Sequence, residues 1–199
     1  MKNILIVALA TTSICLTATL GLAAQSDGKS DAVKTKVAAV CQNCHGMQGD
    51  SAIPTFPRLN GQQADYVVGQ LKSLRAHKRA DTHSLYMGKV AHDLDDPMIA
   101  GLANYFAVQK PTQPQIGGAL AGEGEKIFAN GTPSCAACHG VHGEGTAMAP
   151  RVAGQHANYL RMALGAFRSK LRGNETMQSV AKNLSDQQIE ALASYLAND

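Results

Sequence analysis

The pattern C-x-x-C-H occurs twice in this chain, at residues 41–45 and 135–139. Two thiols three positions apart can add to the two vinyl groups of one porphyrin, and the adjacent imidazole then lies beneath the iron. That histidine is held in place because its neighbour is covalently joined to the macrocycle. The repeated pattern therefore predicts two covalently bound haem c groups. The predicted attachment residues are Cys41, Cys44, Cys135 and Cys138, and the predicted proximal iron ligands are His45 and His139.

A C-x-x-C pair has three other common uses: half of a zinc site, a redox dithiol and a disulfide. A zinc ribbon brings two pairs together, and it does not account for the histidine that follows each second cysteine. A thioredoxin-type dithiol needs a βαβ context, which the sequence does not show. A disulfide also leaves both histidines unexplained. The haem interpretation accounts for all five residues of each pattern.

Residues 1–24 have the features of a signal peptide. Lys2 is followed by the apolar run 4–10, and small residues precede the polar segment that begins at Gln25. We expect cleavage after Ala23 or Ala24 and export to the periplasm. The alternative is an uncut membrane anchor, because the apolar stretch is nearly long enough to span a bilayer. The fifth cysteine, Cys15, lies in this segment, so its removal leaves only the four haem cysteines.

The rest of the chain repeats itself, which indicates two domains of similar structure. The segment PRLNGQ at 57–62 matches PRVAGQ at 150–155, and LANYF at 102–106 matches LASYL at 192–196. Prolines and glycines between the copies mark a linker that runs extended over the surface. The predicted division is an N-terminal domain at 25–108, a linker at 109–118 and a C-terminal domain at 119–199.

Each copy carries apolar residues at helical spacing and no alternating strand pattern. Residues 63–75 and their counterparts each form one apolar helical face, and Ser185 with Gln188 resembles a capping box before the last helix. Asp95 or Asp96 is expected to cap the equivalent helix of the first copy. The prediction is an all-α protein of two tandem cytochrome c-like helical domains. Because each domain is small, its haem is expected to supply much of its core.

The second axial ligand decides between electron transfer and catalysis, because an open iron position binds oxygen or peroxide. Met87 and Met177 occupy matching positions in the two copies, and a ligand should recur in both. We therefore predict that they ligate the irons; the alternative is core packing, a frequent role for methionine. Met98 is expected in the core. The histidines without a counterpart in the other copy are expected at the surface: His77, His83, His92, His142 and His156.

The sequence also indicates groups around the ligands. A ligating histidine usually donates its second N–H to a carbonyl, and Pro57 and Pro150 are placed to supply that carbonyl. Arg58 and Arg151 follow directly and can pair with haem propionates, with an exposed loop position as the alternative for each. The weaker candidates for the propionate edge are Gln62, Gln155, Tyr66 and Tyr159.

With these motifs the chain resembles the cytochrome c4 family of exported dihaem cytochromes. The resemblance covers nearly all of the sequence after residue 24. It implies two cytochrome c folds whose haems face each other across the domain interface, with His45/Met87 and His139/Met177 as axial pairs. It also implies electron transfer from the cytochrome bc1 complex or a small copper protein to a terminal oxidase. Asn60, where the second copy has Ala153, is a departure of little expected consequence.

These observations predict an electron carrier and not an enzyme. Its expected partners are redox proteins, and peripheral association with membrane complexes is expected as well. The alternative is a dihaem electron-transfer subunit of a dehydrogenase, for example beside a flavoprotein. The net charge of +3 is too small and too dispersed for nucleic-acid binding. A run of cations at 72–79 can form a basic face toward an acidic partner, and a solvated helix surface is the alternative.

Overall fold

The structure is a computed structural model that describes residues 19–115 and 117–198, with side chains from residue 28 onward. Most of the expected signal peptide, residues 1–18, lies outside the described residues. None of the described helices is both long and apolar enough to span a membrane.

The described part of the chain is helical, and its only extended pairings are two isolated bridges. The first copy contains α1 (Thr19–Lys36), a π-helix (Val37–Cys41), α2 (Gln42–His45), α3 (Ala64–Arg75), α4 (Ser84–His92) and α5 (Asp96–Ala107). The second copy contains α6 (Ala121–Asn130), α7 (Ala136–His139), α8 (Ala157–Arg168), α9 (Glu175–Ala181) and α10 (Asp186–Leu196). The predicted all-α fold of two tandem helical units is confirmed.

The last helix of each copy begins at the cap that the sequence indicates. The Asp95 side chain accepts a hydrogen bond from the Met98 N–H, and Pro97 lies in the first turn of α5. In α10, Ser185 and Gln188 form a capping box, each side chain bonded to the other's backbone N–H. The capping prediction is confirmed for both helices, and it selects Asp95 over Asp96 in the first.

Each copy has its own hydrophobic core, built where its first and last helices cross. The first cluster joins α1 and the π-helix to α5, through the buried residues Val33, Val37, Leu94, Ile99, Leu102 and Phe106. The second cluster joins α6 and α8 to α10, through Phe128, Ala157, Leu160, Leu192, Ala193, Tyr195, Leu196 and Ala197. These two separate cores are what the sequence repeat implies.

The glycine of each PRxxGQ segment allows the connection between the copies to pass closely. Gly61 and Gly154 have φ values of 68° and 73°, a region that favours glycine. A Cβ on Gly61 would lie 2.6 Å from Cβ of Pro111, and one on Gly154 would lie 2.0 Å from the Thr112 carbonyl oxygen. The described part of the linker is therefore held against both domains.

Asn60 has more consequence than the sequence suggested. Its buried side chain donates to the Lys110 carbonyl at 2.8 Å and to the Thr112 hydroxyl at 2.9 Å. The alanine at the matching position, Ala153, cannot make these bonds. The difference between the copies therefore follows from the single linker, which needs an anchor at only one of them.

The contact between α6 and α10 gives a sharp test of packing. Gly124 lies where a Cβ would come within 2.0 Å of the Ala191 carbonyl oxygen. Gly124→Ala should therefore force the two helices apart and lower the free energy of unfolding by about 1–3 kcal/mol. Denaturant titration of the intact protein, followed by far-ultraviolet circular dichroism, measures this change.

Gly122 is the matched control, because it lies in the same helix and nothing would come within 4 Å of its Cβ. Gly122→Ala should stabilise α6 by about 0.5–1 kcal/mol, the ordinary gain in helix propensity. Equal effects of the two substitutions would contradict the close packing of α6 on α10.

Candidate haem sites

His45 is held by one ring nitrogen and has the other free for a ligand. It ends α2, is 5% exposed, and its Nδ1 lies 2.8 Å from the carbonyl oxygen of Pro57. Its Nε2 is buried with no hydrogen-bond partner. Burial lowers the pKa of His45, so the neutral ring donates from Nδ1 and keeps a lone pair on Nε2. An unpaired buried nitrogen of this kind is suited to an iron.

His139 repeats the contact with a proline carbonyl in the second copy. It ends α7, is 8% exposed, and its Nδ1 lies 2.8 Å from the carbonyl oxygen of Pro150. Burial also lowers the pKa of His139, which favours the same neutral form. The two proline carbonyls therefore lie where the sequence reasoning placed them, each orienting one ring.

The four cysteines lie beside these histidines and form no disulfide. Burial raises the pKa of Cys41 and of Cys135, whereas a redox-active dithiol usually has a lowered thiol pKa. Among the residues described, no three His, Cys, Asp or Glu side chains converge as a metal cluster. The two C-x-x-C pairs thus do not meet as a zinc ribbon requires, and the residues present fit two haem c groups.

The two candidate sulfur ligands lie on corresponding short helices. Met87 is in α4 and Met177 is in α9, and both are partly buried. Asn174 caps α9 by accepting from the Met177 N–H at 2.9 Å, which fixes the start of that helix. Met98 packs against the first hydrophobic cluster, as expected of a core residue. Ligation by Met87 and Met177 stays a prediction.

Arg58 and Arg151 lie at the boundary between the two domains. Arg58 donates from Nε to the Asp50 carboxylate at 2.8 Å and from Nη1 to the Gly154 carbonyl at 3.0 Å. Arg151 donates from Nη2 to the Thr112 carbonyl at 2.9 Å. The Arg58 side chain is only 13% exposed, so it is not a loose surface arginine. Pairing of either guanidinium with a propionate stays a prediction.

Gln62 and Gln155 bind across the interface in a reciprocal manner. The Gln155 side chain accepts from the Arg58 N–H at 2.8 Å and donates to the Arg58 carbonyl at 3.0 Å. The Gln62 side chain does the same with Arg151, at 3.1 and 2.9 Å. Both amides are buried. Each amide oxygen also accepts from the N–H of the next residue of its own domain, Gln63 or His156, at 3.0 Å.

Arg172 is a buried interface residue that the sequence analysis missed. It is 3% exposed, and its guanidinium donates to the hydroxyls of Tyr66 at 2.6 Å and Tyr159 at 3.2 Å, and to Gln70 at 3.0 Å. The backbone of Arg172 also forms an isolated antiparallel β-bridge with the backbone of Arg79 in the first copy. Arg79 and Arg172 are 93 positions apart, as are Tyr66 and Tyr159, so extending the repeat alignment would have found the pair.

One expected surface histidine is buried. His156 is 3% exposed, and its Nε2 lies 2.8 Å from the Ser51 carbonyl oxygen of the first domain. The expectation for His156 is therefore wrong. Ser51 in turn donates to the carbonyl of Cys44, so this contact reaches the first haem motif. Position 156 corresponds to Gln63 of the first copy, whose side chain makes the matching contact with the Thr146 carbonyl at 3.0 Å.

Two helical domains, each presenting paired cysteines beside a buried histidine whose Nδ1 contacts a proline carbonyl, define a class of protein: a dihaem c-type cytochrome that transfers electrons. The Cytochrome c family profile matches residues 121–198. Cytochrome c-552 of Acidithiobacillus ferridurans is 39% identical over 89% of this chain and 82% of its own length. Cytochrome c4 of Pseudomonas aeruginosa is 37% identical over 92% of this chain and 96% of its own. The chain belongs to the cytochrome c4 family.

Solved structures show the same fold. Reduced cytochrome c4 of Pseudomonas stutzeri aligns with a TM-score of 0.76 and 35% identity, covering 84% of this chain and 96% of that one. Cytochrome c4 of Acidithiobacillus ferrooxidans aligns with a TM-score of 0.74 and 41% identity, covering 79% and 97%. A further relative, the thiosulfate dehydrogenase electron acceptor of Stutzerimonas stutzeri, is 35% identical over 81% of this chain and 79% of its own length.

Proposed function

We propose that this cytochrome carries single electrons through two six-coordinate haems, ligated by His45 with Met87 and by His139 with Met177. The observation that carries the proposal is the state of His45: Nδ1 is tied to Pro57, and the buried Nε2 has no partner within the protein. Leaving such a group unpaired is costly, and an iron ligand removes that cost. The recurrence of both methionines in the repeat supplies the second ligand.

The role of the chain is to hold these ligands still. Each haem, when bound, exchanges one electron between Fe(II) and Fe(III). Pro57 and Pro150 fix the orientation of the histidine rings, and a fixed ring needs little rearrangement when the iron charge changes. Met87 and Met177 would hold the remaining iron positions and so keep substrate from them, and we assign no bond-making reaction to the protein.

We place the carrier in the periplasm, after removal of residues 1–24, as a domain at 25–108, a linker at 109–118 and a domain at 119–199. Its proposed donor is the cytochrome bc1 complex or a small copper protein, and its proposed acceptor is a terminal oxidase. Membership of the cytochrome c4 family supports this assignment. Transient binding to membrane complexes is part of it, because both partners of a respiratory shuttle must release the carrier.

The second candidate is an electron acceptor for a dehydrogenase. A relative named thiosulfate dehydrogenase electron acceptor shares 35% of aligned residues with this chain, which favours this candidate specifically. The chemistry within the cytochrome is unchanged, and only the donor differs.

Stopped-flow reduction separates the two candidates. The oxidised holoprotein is mixed with a reduced small copper protein in one experiment, and with a thiosulfate dehydrogenase plus thiosulfate in another. A respiratory carrier should be reduced by the copper protein at a rate that falls with ionic strength, and only slowly by the dehydrogenase. Fast reduction by the dehydrogenase alone would favour the second candidate.

Haem content gives a direct test of attachment. The exported protein should show two haems per chain in a pyridine haemochrome assay, and both should resist acid-acetone extraction. Replacing Cys135 and Cys138 with Ser should leave one covalent haem, because the first motif is intact. Cys15→Ser is the control and should leave both. One haem in the unmodified protein would contradict the dihaem assignment.

A further inference from the structure

The peptide bond that accepts from each histidine is itself held by the other domain. The carbonyl of the Pro57–Arg58 peptide lies 2.8 Å from Nδ1 of His45, and the N–H of the same peptide donates to Oε1 of Gln155 at 2.8 Å. Gln155 belongs to the C-terminal domain. A continuous chain of hydrogen bonds therefore runs from His45 through one peptide unit to a side chain of the other domain.

The reverse connection has the same form. The carbonyl of the Pro150–Arg151 peptide lies 2.8 Å from Nδ1 of His139, and its N–H donates to Oε1 of Gln62 at 3.1 Å. Gln62 and Gln155 are 7% and 8% exposed, so water does not compete freely for these bonds. Each glutamine is therefore fixed to the peptide that orients the opposite histidine.

Hydrogen bonds in such a chain strengthen one another. When the peptide N–H donates to a glutamine oxygen, the peptide carbonyl becomes more negative and accepts more strongly from the histidine Nδ1–H. The imidazole then gives more electron density through Nε2, which favours the higher charge of Fe(III). The glutamine thus acts on the iron without touching the haem or its ligands.

We propose that Gln62 and Gln155 are crossed positioning residues, each lowering the reduction potential of the haem in the opposite domain. Gln155 acts on the haem of His45, and Gln62 acts on the haem of His139. Domain docking and haem potential are therefore linked. A domain that moves away loses its hydrogen bond to the peptide that orients the other domain's histidine. This inference rests on the proposed ligation by His45 and His139.

The test uses the intact holoprotein with Gln155→Leu, which keeps the size of the side chain and removes both polar groups. At a fixed applied potential, the Fe(II)/Fe(III) ratio of the N-terminal haem should rise about twofold to fivefold, because one supporting hydrogen bond is lost. The ratio of the C-terminal haem should stay unchanged. Hyperfine-shifted haem methyl signals in proton NMR, assigned through contacts with each haem's own cysteines, measure the two haems separately.

Gln62→Leu should give the mirror result, a rise at the C-terminal haem alone. Gln155→Glu keeps an oxygen against the Arg58 N–H, so it must not raise the ratio; this variant also tests the inference if the leucine variants fail to fold. Gln63→Leu is the matched control. The Gln63 side chain also crosses the interface, donating to the Thr146 carbonyl at 3.0 Å, but it does not contact the Pro57–Arg58 or Pro150–Arg151 peptide. It should shift neither haem.

The outcomes separate this inference from the function on which it rests. Suppose that the unmodified protein has two low-spin haems. A Gln155→Leu shift at the C-terminal haem, or an equal shift at both haems, would then overturn the crossed assignment, and the proposed electron-carrier function would stand. An unmodified protein without two low-spin haems would instead overturn the proposed function itself. A shift from Gln63→Leu as large as that from Gln155→Leu would show a general loosening of the interface, and would also overturn the inference.

Discussion

Replacing Met87 with His is expected to keep the N-terminal haem six-coordinate and to lower its reduction potential by a substantial part of the roughly 0.8 V range that axial ligands span. A thioether is a weak donor that favours the softer Fe(II), whereas an imidazole favours Fe(III). Met177→His should do the same at the C-terminal haem. In each variant the other haem serves as an internal reference, so an optical redox titration should separate into two well-spaced steps.

Replacing either methionine with Ala should instead open an iron position, so that carbon monoxide binds one haem per chain. Met98→Ala is the control, because Met98 packs against the first hydrophobic cluster. In this variant carbon monoxide should bind neither haem. The free energy of unfolding should fall by an amount at the low end of the roughly 2–5 kcal/mol of a core truncation. The weak red band of Met-ligated Fe(III) is the readout. If Met98→Ala removed half of that band and Met87→Ala left it unchanged, the alignment of Met87 with Met177 would be wrong.

The parts of the fold that the sequence predicted depend on short stretches of chain. The cap at Ser185 is specified within four residues, and it forms as expected. The distance from each haem motif to its proline is similar in the two copies, so the repeat itself pointed to Pro57 and Pro150. Local chemistry and duplication together predicted the helical class and the contacts that hold both histidines.

The contacts between the domains could not be predicted in this way. The side chains of His156 and Asn60 are not repeated in the other copy, which has Gln63 and Ala153 at these positions. Their roles appear only when the domains and linker are placed together. Gln62 and Gln155 were noticed as a repeated pair, but a repeat does not show which peptide each amide reaches. Side-chain type gives the capacity for hydrogen bonding, whereas the partner depends on the relative position of two folded bodies.

Arg172 joins the two domains through a buried charged side chain. Its guanidinium is always charged, and here it is removed from water and satisfied by Tyr159 of its own domain and by Tyr66 and Gln70 of the other. It also lies 4.8 Å above the Phe167 ring. Hydrogen bonds to a charged donor are worth more than neutral ones, and their loss leaves buried acceptors without partners. Removing this one side chain should therefore weaken the whole interface.

We expect Arg172→Met to lower the free energy of unfolding by about 2–4 kcal/mol, because it removes charge-assisted bonds while filling most of the same space. Denaturant unfolding followed at the haem bands should also broaden or divide into two transitions, since the domains lose a shared contact. Arg168→Met is the matched control: Arg168 pairs with Asp186, whose side chain is 90% exposed, and donates to the Leu184 carbonyl at 3.0 Å. Its loss should cost about 1–2 kcal/mol. Equal costs for the two variants would show that Arg172 contributes no more to docking than a surface arginine.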